Sequence, residues 1–486
     1  MSQIKSFFLR HQRCVLFSVL AICSVLIFFW KLGQSAFVDY DEATYAQVIK
    51  EMLNSGHLLS LTYFGSHAFD KPPLYFWMAA LCAKFFGLNE FALRMPAALT
   101  GIGSILLVWA ISLRLSKNDW IAFSSGLVLL TTSLFVYAGR EVRLDIPVTF
   151  FITLGFYCFI RGIENQKWNI GMGISAALGV LTKSVVGLLI VPMVLLFSIF
   201  NRSWKWVTDR YFWIGTLCSF VIVLPWHLYE SILFGHTFWD QYLFYHVVDR
   251  FQQNILGGNI PPTVYFTLLY QYIEPWSIIF VILFAILCVT FLIDKNTFRK
   301  HITTLSYLSM IVFVLLIFSI AQTKLFNYLD PLFPFAALFI ATMVGFVYER
   351  FDSRVYKKAV IGIFSLLIFL GLLQTINLSF ALYTDPDNTA LAGDERSIGL
   401  LIKTFPPSYT AYAFDLNTLP TLNFYGERPV KEFTNSPPTE GMLLVVPSPL
   451  MKIGGVTPAY INSTKILYAG QYLTLMEYSP PLKMNP

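Results

Sequence analysis

Runs of about twenty apolar residues recur along this chain, each long enough to cross a bilayer as a helix. In lipid, backbone polar groups must be satisfied inside each crossing segment, so such runs become helices. The candidate spans are 14–32, 95–115, 119–138, 146–162, 168–182, 185–201, 211–230, 263–293, 301–321, 326–348 and 359–380, about eleven. Only 13% of the residues are charged, against about 25% in soluble domains. A multi-span membrane protein is therefore expected. The net charge of +6 does not point to nucleic acid, because basic cytoplasmic loops account for it.

Charge sorts between the loops. Lys5, Arg10 and Arg13 precede the apolar run Cys14–Trp30, which is longer than a signal-peptide core and reads as an uncleaved anchor with a cytoplasmic N-terminus. Alternation then groups Arg114, Lys117, Arg161, Lys167, Arg202, Lys205, Arg210, Lys295, Arg299, Lys300, Arg350 and Arg354 on the cytoplasmic side. The mixed-sign groups collect on the outer side: the 38–94 loop, the Arg140–Asp145 turn, Lys183, the 231–262 loop and Lys324. Five of the six cysteines lie in expected spans and none pairs as C-x-x-C, so neither a disulfide framework nor a cysteine metal site is expected.

The tail changes character. TAYAF, GMLLVV and KILYAGQYLTLMEY are short strand-like runs bounded by turn residues. The chain thus divides into a membrane part, 1–380, and a small outer α/β domain, 381–486.

Charge beside a bilayer is costly unless paired, hydrated or used, which makes the outer groups candidates for chemistry. Asp41 and Glu42 begin an amphipathic pattern in which Tyr45, Val48, Ile49, Met52 and Leu53 share one face. The helix is expected to lie in the interface plane. Capping of that helix and a catalytic role are both open to the two carboxylates. Lys71, between Asp70 and Pro72-Pro73, is either a snorkelling lysine or a phosphate contact. Asp145 closes a short turn with Arg140, Glu141 and Arg143, which reads equally as an internal salt-bridge cluster. His246 and Arg250 are four apart and share a face if helical, as do Lys324 and Tyr328. His246 is a packed residue or a metal ligand, Arg250 suits a phosphate, and Lys324 and Tyr328 are interfacial anchors or site residues. No GxGxxG, Walker, H-E-x-x-H or G-x-S-x-G motif is present, so nucleotide use and serine-hydrolase chemistry lose support.

D-E-x-x-Y at Asp41, D-K-P-P-L at Asp70, R-L-D at Arg143, Y-H-x-x-x-R-F at Tyr245 and K-L-x-x-Y-x-x-P at Lys324 follow in that order. The order resembles the GT-C membrane glycosyltransferases, most nearly the aminoarabinose lipid A transferases and the related protein O-mannosyltransferases. The resemblance implies a domain of about 11–13 transmembrane helices and a sugar donor carried on a polyprenyl phosphate. By position, Asp41 would stand at the reaction centre with Glu42 beside it, and Asp145 would be the second acidic residue. Lys71, Arg250, Tyr328 and Lys324 would hold the donor phosphate, and Asp70 with His246 would match a divalent-metal pair. Two residues depart from the family: Thr44 stands at its usual arginine, and Asp70 at its usual glutamate. The implied reaction is transfer, with inversion, at the outer face of a cell inner membrane by a monomer. The acceptor is a glycolipid such as lipid A or, alternatively, a protein hydroxyl. A lipid or solute transporter is the competing class, but the spans carry almost no mid-span charge and no related halves. A membrane scaffold whose tail binds a partner is a third.

Overall fold

The structure, a computed structural model, describes residues 2–37, 40–254, 260–293, 301–384, 386–414, 420–433, 442–448 and 464–478. Val38, Asp39, Lys295, Arg299 and Lys300 lie outside the described residues. Among those described, the first ten helices are α1 (Ser2–Phe29), α2 (Tyr40–Ser55), α3 (Leu74–Phe86), α4 (Glu90–Ser116), α5 (Asp119–Leu130), α6 (Ser133–Ala138), α7 (Asp145–Glu164), α8 (Trp168–Lys183), α9 (Ile190–Asn201) and α10 (Arg210–Phe234). Long apolar helices follow at Trp276–Ile293, Ile302–Ile320, Phe333–Arg350 and Arg354–Thr384. The expected class holds: a multi-span helical membrane protein with a small C-terminal sheet domain.

Among the described residues nine helical runs are long and apolar enough to cross a membrane, fewer than the eleven read from hydropathy. The stretch 119–138 is broken between α5 and α6. There Thr131 and Thr132 donate their hydroxyls back to the carbonyls of Leu127 and Val128, while Trp276 Nε1 donates to the Thr131 carbonyl at 3.0 Å. The stretch 263–293 divides into Val264–Tyr272 and Trp276–Ile293, where Pro275 has no N–H to continue the ladder. The spans expected at 168–182 and 185–201 form one helical run, Trp168–Asn201, with a reversal inside it. A 3-10 turn over Ser184–Leu189 separates α8 from α9, and Ser184 takes φ 49°. A Cβ on Gly187 would stand 2.2 Å from the Gly179 carbonyl carbon, so the two arms touch backbone to backbone.

The chain forms two compact units. One comprises Met1–Trp30, Phe69–Met78 and Arg94–Ser379. The other holds the tail but also Lys31–Ala68 and Ala79–Leu93, a division different from a single cut near residue 380. In this second unit α2 buries Tyr45, Val48, Ile49 and Met52, as its periodicity predicts. The helix does not simply lie on a lipid surface, however. It packs on the helix Pro420–Gly426, and Lys50, off the apolar face of α2, donates to the Phe424 carbonyl at 3.1 Å and pairs with Glu427 at 3.1 Å. The hairpin of β1 (Thr62–Tyr63) and β2 (Ser66–His67) is held to α2 by Glu51. The Glu51 carboxylate accepts from Thr62 Oγ1 and from the Phe64 and Gly65 amides.

The tail carries five strands, β3 (Thr410–Phe414), β4 (Val430–Phe433), β5 (Met442–Pro447), β6 (Thr464–Ala469) and β7 (Leu473–Tyr478), in the order β4-β3-β5-β7-β6. The three strand-like runs of the sequence supply β3, β5 and the β6–β7 hairpin. Met442–Val446 is buried throughout, which explains its unbroken apolar run: a central strand is covered on both faces. Ile398 and Ile402, from the helix Pro386–Thr404, pack on Ala411, Leu443 and Leu475. Asp394 fastens that helix to the hairpin by accepting from the Tyr472 and Leu473 amides at 2.8 and 3.1 Å.

Beside it, burial pushes the Glu395 carboxyl up to about 7, opposed by a hydrogen bond from Thr421 and aided by the Asp394 charge. A raised folded-state value stabilises the protonated form. That contribution is complete below about 4.5 and is lost as pH rises through about 7. The domain is therefore expected to melt at lower temperature at pH 8 than at pH 5.5, by about 1–2 kcal/mol from this group. Melting Glu395→Gln in detergent at both values checks it. The variant should narrow the difference by that amount, and an unchanged difference would rule Glu395 out as its source.

Candidate active site

Two groups of charged side chains stand at one end of the first unit. The first is built on the segment Asp70–Pro73, which leads into α3. Lys71 Nζ pairs with Asp70 Oδ2 at 3.2 Å, with the lysine side chain 14% exposed and the aspartate 32%. Opposite them runs the helical stretch His236–Gln252, of which Asp240–Asp249 is wound as a π-helix, a rare form that often marks function. It brings His246 and Arg250 to the Asp70–Lys71 pair.

The electrostatics agree with that juxtaposition. Burial and then the Lys71 and Arg250 cations push the His246 imidazole down to about 4, against the pull of Asp70. The ring is thus neutral at pH 7. Burial disfavours the Asp70 charge, but Lys71 and His246 outweigh it and hold the carboxyl below its usual range. His246 Nδ1 and Arg250 Nε are both buried without a hydrogen-bond partner. Buried polar atoms are nearly always satisfied, so two orphans in one place suit an anionic or metal-bound guest.

The second group surrounds Asp145 at the start of α7. Asp145 is 5% exposed, Oδ1 pairs with Lys183 Nζ, and Oδ2 accepts from Asn327 Nδ2 at 2.9 Å. Lys183 Nζ also lies 5.5 Å from the Tyr328 ring. Asp330, 2% exposed, has Oδ2 without a hydrogen-bond partner. The neighbouring turn is structural in two respects: Arg140 donates to the Phe28 and Trp30 carbonyls at 2.9 and 2.7 Å, capping the end of α1, and Arg143 pairs with Glu141. The salt-bridge reading of this turn therefore fits Glu141 and Arg143, while Arg140 caps α1 and Asp145 pairs with Lys183.

The segment 321–332 adjoins both groups. The Thr323 amide donates to the Arg250 carbonyl at 3.0 Å, and Asn327 holds Asp145. Four residues of chain span at most about 14 Å. The two groups are therefore neighbours.

Lys324 is 7% exposed and donates to the Ala321 carbonyl at 2.6 Å. Leu325 is extended, so Lys324 and Tyr328 share no helical face. Asp41 and Glu42 lie in the first turn of α2, in the second unit, with Glu42 buried and Asp41 half-buried. Thr44 donates its hydroxyl to the Tyr40 carbonyl at 2.8 Å, inside its own helix, and supplies nothing in place of an arginine.

Residues 70–229 match the family described as dolichyl-phosphate-mannose-protein mannosyltransferase. An uncharacterised protein of Aquifex aeolicus is 27% identical over 75% of this chain and 70% of its own length. An undecaprenyl phosphate-alpha-4-amino-4-deoxy-L-arabinose arabinosyl transferase of an Enterobacter species is 27% identical over 66% of this chain, and the match spans 58% of that relative. The crystal structure of ArnT from Cupriavidus metallidurans bound to undecaprenyl phosphate superposes with TM-score 0.70, covering 98% of this chain and 100% of that one at 18% identity. That likeness establishes the fold over the whole chain. The chain has the GT-C glycosyltransferase fold. Transferases of this class take their sugar from a polyprenyl phosphate. Sequence reasoning placed Lys183 on the outer side without joining it to Asp145 and missed Asn327 and Asp330, whose roles depend on contacts that no local pattern announces.

Proposed function

We propose that the enzyme moves a sugar from a polyprenyl phosphate to a glycolipid acceptor such as lipid A at the outer face of the inner membrane, with inversion. The carrying observation is the gathering of Lys71, Asp70, His246 and Arg250, with Arg250 Nε and His246 Nδ1 unengaged. In the transfer the acceptor oxygen bonds to the anomeric carbon and the bond from that carbon to the phosphate oxygen breaks. Its electron pair leaves on the polyprenyl phosphate. Lys71 and Arg250 stabilise the charge that grows there, as fixed cations at a low-dielectric surface. Tyr328, beside Lys183, assists at the same end, and buried Asp145 holds Lys183 in place.

Asp41 takes the acceptor proton when the acceptor is a hydroxyl, and positions the acceptor when it is an already ionised phosphate. Glu42 beside it supports that end of the helix.

Asp70 and His246 fit a divalent ion. One is held ionised, and the other is neutral with a ring nitrogen unengaged, the states a metal requires. Among the described residues no cluster of three or more such ligands occurs, so phosphate oxygens or water would complete the shell. A bound ion would neutralise further charge on the leaving phosphate.

The test is transfer from undecaprenyl-phosphate aminoarabinose to lipid A in detergent, with a hydroxyl-bearing peptide as the competing acceptor. Asp41→Asn should lower the rate by about a hundredfold or more. An unchanged rate removes Asp41 from the mechanism, and transfer to the peptide alone replaces the glycolipid.

A further inference from the structure

At the far end of α7 from Asp145 lies a pocket of about 420 Å³ with no part in the transfer chemistry. The 20 residues of α7 rise about 30 Å, the thickness of a hydrocarbon core. The pocket therefore opens at the opposite bilayer surface from the Asp145–Lys183 pair. Its walls come from α1, α4 and α7: Arg13, Trp109, Leu113, Arg114, Tyr157 and Glu164, with Lys117 just past the end of α4.

Most charge here is already matched. Arg13 pairs with Asp119 at 2.8 Å and Arg114 with Glu164. Arg161, one turn below Tyr157, donates to the Tyr157 hydroxyl at 3.4 Å and lies over the Trp168 ring. Two groups are left over. Lys117 is exposed and makes no ion pair among the described residues. Trp109 Nε1 is buried without an acceptor, although the ring is held against Phe17 with centroids 4.9 Å apart. A rigid N–H donor and an unmatched ammonium in one concave site suit a phosphate oxygen. Leu113 and Ala110 add an apolar wall at the depth where Trp and Tyr line the membrane interface.

We propose that this pocket holds the phosphodiester headgroup of an anionic phospholipid from the leaflet opposite the active site. The phosphate accepts from Trp109 Nε1 and faces Lys117 and the outer edges of Arg13 and Arg114. The glycerol and first methylenes lie on Leu113. A soluble phosphate would use the same donors but leave the apolar wall uncovered.

Native mass spectrometry of the full chain with phosphatidylglycerol, phosphatidylcholine or inorganic phosphate distinguishes these. The wild type should retain phosphatidylglycerol over phosphatidylcholine. Trp109→Phe and Lys117→Gln should each weaken that retention by roughly tenfold, since each removes one charge-assisted contact. Lys117 is exposed in a connection, so K117Q reports on the site even if W109F folds poorly. Wild-type retention by both variants would overturn the proposal. Binding of inorganic phosphate as tight as that of phosphatidylglycerol would overturn the lipid assignment.

Discussion

Lys71→Ala is expected to lower kcat/KM for sugar transfer by about a thousandfold, the loss typical when one preorganised donor to a developing anion is removed. Lys71 is largely buried, and it donates to the carboxylate and carbonyl of its own neighbour, Asp70. The fold therefore leans on it little, while a donor phosphate would lean on it heavily. Lys71→Arg keeps the charge and should recover part of the rate. Steady-state kinetics with a polyprenyl-phosphate sugar, alongside a melting curve showing an intact fold, check the prediction. A loss below about threefold would mean that the charge growing on the leaving phosphate is met elsewhere.

Asp145→Asn is expected to cost about 3–5 kcal/mol of stability, because it leaves the buried Lys183 ammonium without its counter-charge. The Lys183 side chain is only 13% exposed, and Asn327 at the second carboxylate oxygen cannot replace the lost charge. Removing both charges in Asp145→Asn with Lys183→Met should restore most of the melting temperature but not the transfer rate. Thermal unfolding in detergent separates these outcomes. A double variant no more stable than the single one would show that the ion pair is not the source of the cost.

The membrane architecture was legible because a bilayer demands one kind of element at nearly fixed length. Where the reading failed, a side chain had intervened: the threonines that end α5, or Pro275 between two helices. The strands of the tail were legible from their turn residues, whereas the packing of Lys50 on the Pro420–Gly426 helix joins positions 374 residues apart.

The same distance effect governs the charged groups. Lys71, Asp70, His246 and Arg250 could be picked out because charge at a membrane edge is rare and each stood in a compact motif. Lys183 and Asn327 could not be matched to Asp145, 38 and 182 residues away, by any local period. The spacing of Lys324 and Tyr328 fails for the opposite reason. A spacing of four promises a shared face only on a helix, and Leu325 is extended.

One strip of backbone, from Thr323 to Asn327, grips the His246–Arg250 helix at one end and the Asp145 carboxylate at the other. A guest that tugs on Arg250 therefore pulls, through a handful of peptide units, on the residue that steadies Lys183. Under the proposed function, docking of the carrier lipid and tuning of the Asp145–Lys183 pair would become one mechanical event rather than two.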